Sequence, residues 1–261
     1  MSALLARLLD DAGLCPPGRA PADAALPAHR EAARDRVVGR LRCPASRFAE
    51  LRTRLVPEDF LDLVLVADTG IEDLPDALDA VCAEPRVRPS AVEIALPGDA
   101  DQARATAVML ARLPAGPRAH IGVRRSPGRR DALDRIAAAR ARGADLGAHH
   151  RPDGPPADTA AFIRACADRD LPFTIAAPSG HDVPNLLLAA AAATRQRATG
   201  GVLEALERKD PGGVARELAG LPEETARAVR RSLAAVSVPD LGAAMDALAL
   251  IRKEAFSPSG R

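Results

Sequence analysis

Four short stretches decide the fold: Ala91–Pro97 (AVEIALP), Ala119–Arg125 (AHIGVRR), Ala144–His150 (ADLGAHH) and Pro172–Pro178 (PFTIAAP). Each places aliphatic side chains at alternate positions, the period of a β-strand with one face on an apolar layer. Each then runs into turn chemistry: Pro97-Gly98, Ser126-Pro127-Gly128, Pro152-Asp153-Gly154 and Pro178-Ser179-Gly180. Helical patterns fill the gaps, at Asp99–Leu113, Arg129–Arg142 and Asp158–Arg169.

Two earlier runs, Val37–Cys43 and Leu61–Ala67, read the same way, followed by helical segments at Ser46–Leu55 and Ile71–Ala83. The six strand starts are 24, 30, 28, 25 and 28 residues apart, the spacing of βα units on a parallel sheet. A further strand, Ser232–Val238, precedes a helix at Pro239–Lys253. It starts 60 residues after Pro172, which leaves room for one more unit, and Gly200–Leu203 is the best candidate for its strand. Eight units make a (β/α)8 barrel, for which about 250 residues is the usual size. The alternative is an open doubly wound parallel sheet. It is disfavoured because no GxGxxG follows the first strand and no GxxxxGK[ST] occurs. The expected organisation is a helical preface over residues 1–36 (Ser2–Asp11 and Pro21–Arg36), a barrel over 37–256 and a disordered tail, Ser257–Arg261.

Composition narrows the function. With 36 basic and 35 acidic side chains in 261 residues, bulk electrostatics does not draw this chain to nucleic acid. Trp and Tyr are absent, so base-stacking platforms are missing too. No apolar run is long enough to cross a bilayer, and Met1–Leu9 does not read as a signal peptide, so a cytoplasmic location is expected. Cys15, Cys43, Cys82 and Cys166 form no CxxC pair and are expected as reduced thiols. Only Lys209 and Lys253 are lysines, and neither falls on an inner strand position, which argues against a Schiff-base aldolase.

Alternation then sorts the strand residues. If Val92, Ile94 and Leu96 face the helices, Glu93 faces the lumen. The same reading sends His120, Arg124, Asp145, His149, Arg151 and Thr174 inward. Barrel enzymes place their chemistry at the C-terminal strand ends. His149 and His181 are therefore the candidate acid/base groups, supported by Glu93 and Asp68. Arg124 and Arg151, with Thr174, Ser179 and His150, are candidates for binding an anionic substrate. Asp68, His149 and His181 have the ligand types of a metal site, but no HxH or HExxH occurs, and neither metal nor cofactor is expected.

Several segments resemble a family of uncharacterised actinobacterial proteins of about this length. They are Leu8–Leu14 with Pro16-Pro17, Cys43–Arg47, and the helix beginning Asn185-Leu186-Leu187-Leu188-Ala189. The family's fifth strand carries a Lys-Phe-Arg-Thr-Gly-Gly run where this chain has His149–Gly154. Its sixth carries Phe-Lys-Cys-Thr-Ala-Gly, followed by paired histidines, where this chain has Phe173–Pro178 and His181. Arg151, Gly154, Phe173 and His181 match, while His149 and Thr174 stand in place of the two lysines. The resemblance implies a barrel with a site at these strands, in a member diverged in substrate or inactive.

The leading expectation is a lyase or isomerase of a biosynthetic pathway, acting on a small anionic metabolite by general acid/base chemistry. The alternatives are an inactive barrel that binds a ligand or partner, and a metal-dependent hydrolase. The Ala-rich helix Asn185–Thr194 suits either a buried position in the barrel or a homodimer contact.

Overall fold

The computed structural model describes residues 2–195 and 200–256. The chain alternates strands and helices in the order α1 (Ser2–Leu5), β1 (Leu9–Asp11), α2 (Ala22–Ala32), β2 (Val38–Pro44), α3 (Phe48–Arg52), β3 (Leu61–Val66) and α4 (Leu74–Cys82). It continues through β4 (Val87–Ala95), α5 (Gln102–Arg112), β5 (Arg118–Gly122), α6 (Arg129–Ala141), β6 (Leu146–His150), α7 (Pro156–Ala167) and β7 (Phe173–Ala176). Four helices follow, α8 (Val183–Arg195), α9 (Gly200–Glu207), α10 (Pro211–Ala219) and α11 (Glu223–Ser232), before β8 (Leu233–Val238) and α12 (Leu241–Phe256). All neighbouring strands are parallel, and β8 pairs with β1 through Leu9↔Val236, Asp10↔Ser237 and Asp11↔Val238, closing an eight-stranded barrel. The (β/α)8 architecture expected from the strand spacing is the one observed, and the open sheet is excluded by that closure.

The wall is built by alternation. Leu41, Leu63, Leu65, Val92, Ile94, Ile121, Ala148, Phe173 and Ile175 point to the helix layer and are at most 2% exposed. The opposite parity enters the lumen, in matched register: Glu93 beside His120, His120 beside Gly147, His149 beside Thr174, and Ser237 beside Asp10.

Two assignments differ from the sequence expectation. The preface holds helices α1 and α2, but between them Leu9–Asp11 is the first barrel strand, so the barrel begins at Leu9 rather than at Val37. Three residues are too few to show a period of two, and a strand ending Asp-Asp looks like a loop. Both charges are in fact matched: Asp10 takes two hydrogen bonds from Arg40 (2.9 and 2.6 Å), and Asp11 meets His29 of α2 at 3.0 Å. Gly200–Leu203, expected as a strand, opens helix α9, where Val202 and Ala205 are buried three residues apart. The room between β7 and β8 is filled by helices.

Residues Leu186–Ala191 of α8 are all buried within this chain, with α9, α10 and α11 packed against the helix. The apolar surface considered for a homodimer is thus covered by the chain's own helices. No helix among the described residues is long and apolar enough to cross a membrane. The tail Ser257–Arg261 lies outside the described residues.

Candidate functional site

Four lumen residues form one row across the barrel, joined by two hydrogen bonds and, between Glu93 and His149, a close polar contact. Arg42, on β2, donates from Nη2 to Glu93 Oε1 on β4 at 2.5 Å. The other oxygen of Glu93 lies 3.3 Å from His149 Nδ1 on β6, and the same nitrogen is 2.9 Å from Thr174 Oγ1 on β7. All four are nearly removed from solvent, so each charge needs the neighbour it has. The anionic Glu93 favours the histidine tautomer with its proton on Nδ1, leaving Nε2 as an acceptor. Burial, then the positive field of Arg42, Arg151 and Arg124, holds His149 well below the usual histidine range, so the imidazole is neutral at pH 7.

One layer below, His120 stands beside Gly147, whose missing side chain makes its space. A Cβ there would lie 2.7 Å from His120 Nδ1 and 2.8 Å from the Pro172 carbonyl oxygen. Neither ring nitrogen of His120 has a partner, and burial pushes its pKa down to about 3.

Above the row, the C-terminal strand ends enclose a cavity of about 590 Å³, within the range of small-molecule sites. Arg42, Glu93 and His149 reach it from the lumen, with Ser237 of β8 on its wall. Its roof is the loop between β1 and α2, which brings Leu14, Cys15, Pro16, Pro17 and Arg19 over the opening. Arg47 pins that loop. Its Nη1 donates to the carbonyls of Leu14 (2.8 Å) and Ala20 (2.9 Å), while Nε and Nη2 bond Glu50. Glu50 in turn accepts from the Ala22 amide at 2.8 Å, tying the start of α2 to the same knot. Four arginines, Arg19, Arg42, Arg47 and Arg151, line the cavity against two carboxylates, Asp68 and Glu93. Cys15 also lines it, but burial raises its thiol to about 11, so it is no thiolate near neutral pH.

The expected site residues divide between the cavity and elsewhere. Glu93, His149, Asp68 and Arg151 line the cavity, and Thr174 supports His149 from β7. Asp68 is engaged by Ser46, from Oγ at 2.5 Å and from the amide at 3.1 Å. His150 faces the helix layer instead. Its Nε2 meets Thr159 Oγ1 at 3.1 Å, and its ring stacks on Phe162 with 4.7 Å between centroids. Burial drives its pKa to about 3. Adjacent residues on a strand point to opposite faces, so only one of His149 and His150 can be in the lumen.

Ser179 and His181 lie beyond β7 and do not line the cavity. Ser179 caps the short 3-10 turn Gly180–Asp182, its Oγ accepting from the His181 amide at 3.2 Å. Arg124 also leaves the strand phase. Its amide donates to Gln102 Oε1 (2.9 Å) and its Nε to the Leu96 carbonyl (3.3 Å), which holds the side chain along the β4 loop. Asp145 is on the lower rim, half exposed, pairing with Arg118 at 2.6 Å. Because His181 is outside the cavity, the trio Asp68, His149 and His181 does not converge. Among the described residues no group of three or more His, Cys, Asp or Glu is placed to hold a metal.

Sequence reasoning missed Arg42, Arg47, Arg19, Cys15 and Ser237. The signal for Arg42 was present in Arg40-Leu41-Arg42-Cys43, where Leu41 and Cys43 are fully buried toward the helices and the arginines take the inner phase. The loop residues had no such signal, since a loop carries no period.

Fold and site together define a (β/α)8 barrel with a polar lumen under a cationic mouth. No family model, no curated protein and no solved structure matches the chain. The resemblance noted above therefore rests on the quoted residues alone.

Proposed function

We propose that this barrel is an enzyme that binds a small anionic metabolite in the cavity and moves a proton on it, as a lyase or isomerase does, with His149 as the acid/base group. One observation carries the reading. Arg151 and Arg19 line the cavity with no carboxylate partner among the described residues, and the same cavity is lined by a neutral histidine whose Nδ1 lies 3.3 Å from Glu93. Arg42 and Arg47 already have Glu93 and Glu50, so Arg151 and Arg19 are the cations left for a ligand.

The chemistry follows from the electrostatics. A histidine depressed first by burial and then by three arginines is a weak base while the cavity holds no anion. A bound anion offsets that positive field and raises the basicity of Nε2 at the moment a substrate is present. Glu93 then stabilises the imidazolium that forms, and Thr174 fixes the ring. In this reading Asp68 and Ser46 shape the mouth, and Arg124 contributes field rather than contact. A cytoplasmic setting agrees with four free cysteines, three of them buried.

A second reading, a binding protein without turnover, is favoured by the mutual satisfaction of Arg42 and Glu93, which need no substrate to complete them. Incubating the purified protein in D2O with a panel of anionic metabolites, and following loss of C–H signals by NMR, separates the two. The enzyme reading expects exchange that vanishes in a folded His149→Gln variant. Exchange that persists in that variant, or binding with no exchange at all, overturns it, and the latter outcome supports the binding protein.

A further inference from the structure

We propose that the anion taken by this cavity is the carboxylate of a hydroxy- or oxo-acid rather than a phosphoester, and that Ser237 holds the acid's hydroxyl or carbonyl oxygen. The inference rests on the anion-site reading above and narrows it.

Barrels that bind phosphate commonly grip it with backbone amides of the loops after strands seven and eight, at the start of a short extra helix. This chain has that short element, Gly180–Asp182, but the amides of Ser179, His181 and Asp182 are spent internally, the last on the Ser179 carbonyl at 3.1 Å. The Ser179 amide donates to Asp182 Oδ2 at 3.0 Å, and the His181 amide to Ser179 Oγ at 3.2 Å. After β8, the Ala243 amide donates to Asp240 Oδ1 at 3.1 Å. The space is filled as well. Gly180 lies backbone to backbone on α12, where an added Cβ would sit 2.4 Å from the Ala244 nitrogen and 2.7 Å from the Ala243 carbonyl carbon. Asp182 and Asp240 thus put two carboxylates where a phosphate dianion would need positive potential. Pro178 and Pro239, on the cavity wall from these same loops, have no N–H to give. What remains for an anion is guanidinium, from Arg151 and Arg19, whose planar fork matches the two oxygens of a carboxylate.

Ser237 supplies the second half. It is 4% exposed, lines the cavity, and its Oγ has no hydrogen-bond partner. Neither lateral neighbour meets it: the oxygens of Asp10 are turned to Arg40, and Ala176 has no polar atom in its side chain. Buried hydroxyls are ordinarily satisfied, so this one, on the wall of a polar cavity, is available to a ligand. A serine hydroxyl both donates and accepts, which suits either an alcohol or a ketone oxygen next to a carboxylate.

The test is calorimetric titration of the full chain with lactate, malate, oxaloacetate and 2-oxoglutarate, beside glycerol 3-phosphate and inorganic phosphate. At least one of the four acids is expected to bind and neither phosphate compound. Arg151→Ala should abolish the binding, and Ser237→Ala should weaken it about five-fold, the worth of one ordinary hydrogen bond. Urea midpoints of the free variants confirm that they fold. Binding of a phosphate compound and of no acid overturns the carboxylate inference and leaves the anion site standing. Binding of neither class overturns both. Acid binding that Ser237→Ala does not change overturns the role of Ser237.

Discussion

Acidification offers the sharpest test of the buried histidines. His120 and His150 are 2% and 4% exposed, and burial holds each at about 3 in the folded chain against an ordinary value of 6.5. A histidine whose pKa is depressed by folding contributes its full stability above 6.5, and loses it as pH falls toward the folded value, because the unfolded chain takes up the proton first. At pH 5.0 that difference is about 2 kcal/mol for each, and the result changes little if the folded value lies a unit higher. The pair therefore removes about 4 kcal/mol, from a total that for single domains is typically about 5–15 kcal/mol. His149 acts in the same direction. The depressed carboxylates, such as Asp35, Asp59 and Asp62, titrate mainly below this window, since their ordinary value is 3.8. The assay is urea unfolding at pH 7.5 and pH 5.0, on the parent chain and on His120→Leu. The parent should lose about 4 kcal/mol or more between the two pH values, and the variant should lose about 2 kcal/mol less than the parent. A parent whose stability changes by under about 1 kcal/mol would refute the reasoning, since the histidines would then be either charged or solvated in the folded state.

Two further outcomes follow from the lumen. Glu93→Gln leaves the buried Arg42 guanidinium without its counter-charge, and should cost about 3 kcal/mol in urea unfolding at pH 7.5. A loss below about 1 kcal/mol would mean that water reaches Arg42 and that the row is not sealed. Gly147→Ala places a methyl 2.7 Å from His120 Nδ1 and 2.8 Å from a strand carbonyl, and should lower stability by about 2 kcal/mol. In Gly147→Ala combined with His120→Ala the same methyl should cost markedly less, because the movable half of the clash is gone.

The sequence by itself determined the architecture. Strands that carry a buried face announce it with a period of two, and Glu93, His120, His149 and Thr174 fall on the inner phase of β4 to β7 whichever residue begins each strand. Alternation also carries the choice between His149 and His150 once Leu146 and Ala148 are given to the helices. Length and spacing fixed the number of units, though not which segment supplied each. Leu9–Asp11 is a strand because β8 and β2 flank it, and its two aspartates are tolerated because Arg40 and His29 meet them. Gly200–Leu203 is helical because Val202 and Ala205 share one buried face, which four residues alone do not reveal.

Only the tertiary structure decided the site. Arg42 and Glu93 are 51 residues apart, and the Arg47 contact that holds the roof spans 33 residues to Leu14. His181 and Ser179, plausible by type and position, turn away from the cavity because the capping of Gly180–Asp182 and its packing on α12 set the direction of that loop. A strand's period is a local property, carried by the residues that show it. Loop direction and charge pairing are set by whatever the closed barrel brings alongside, and the residues concerned carry no mark of that until it closes.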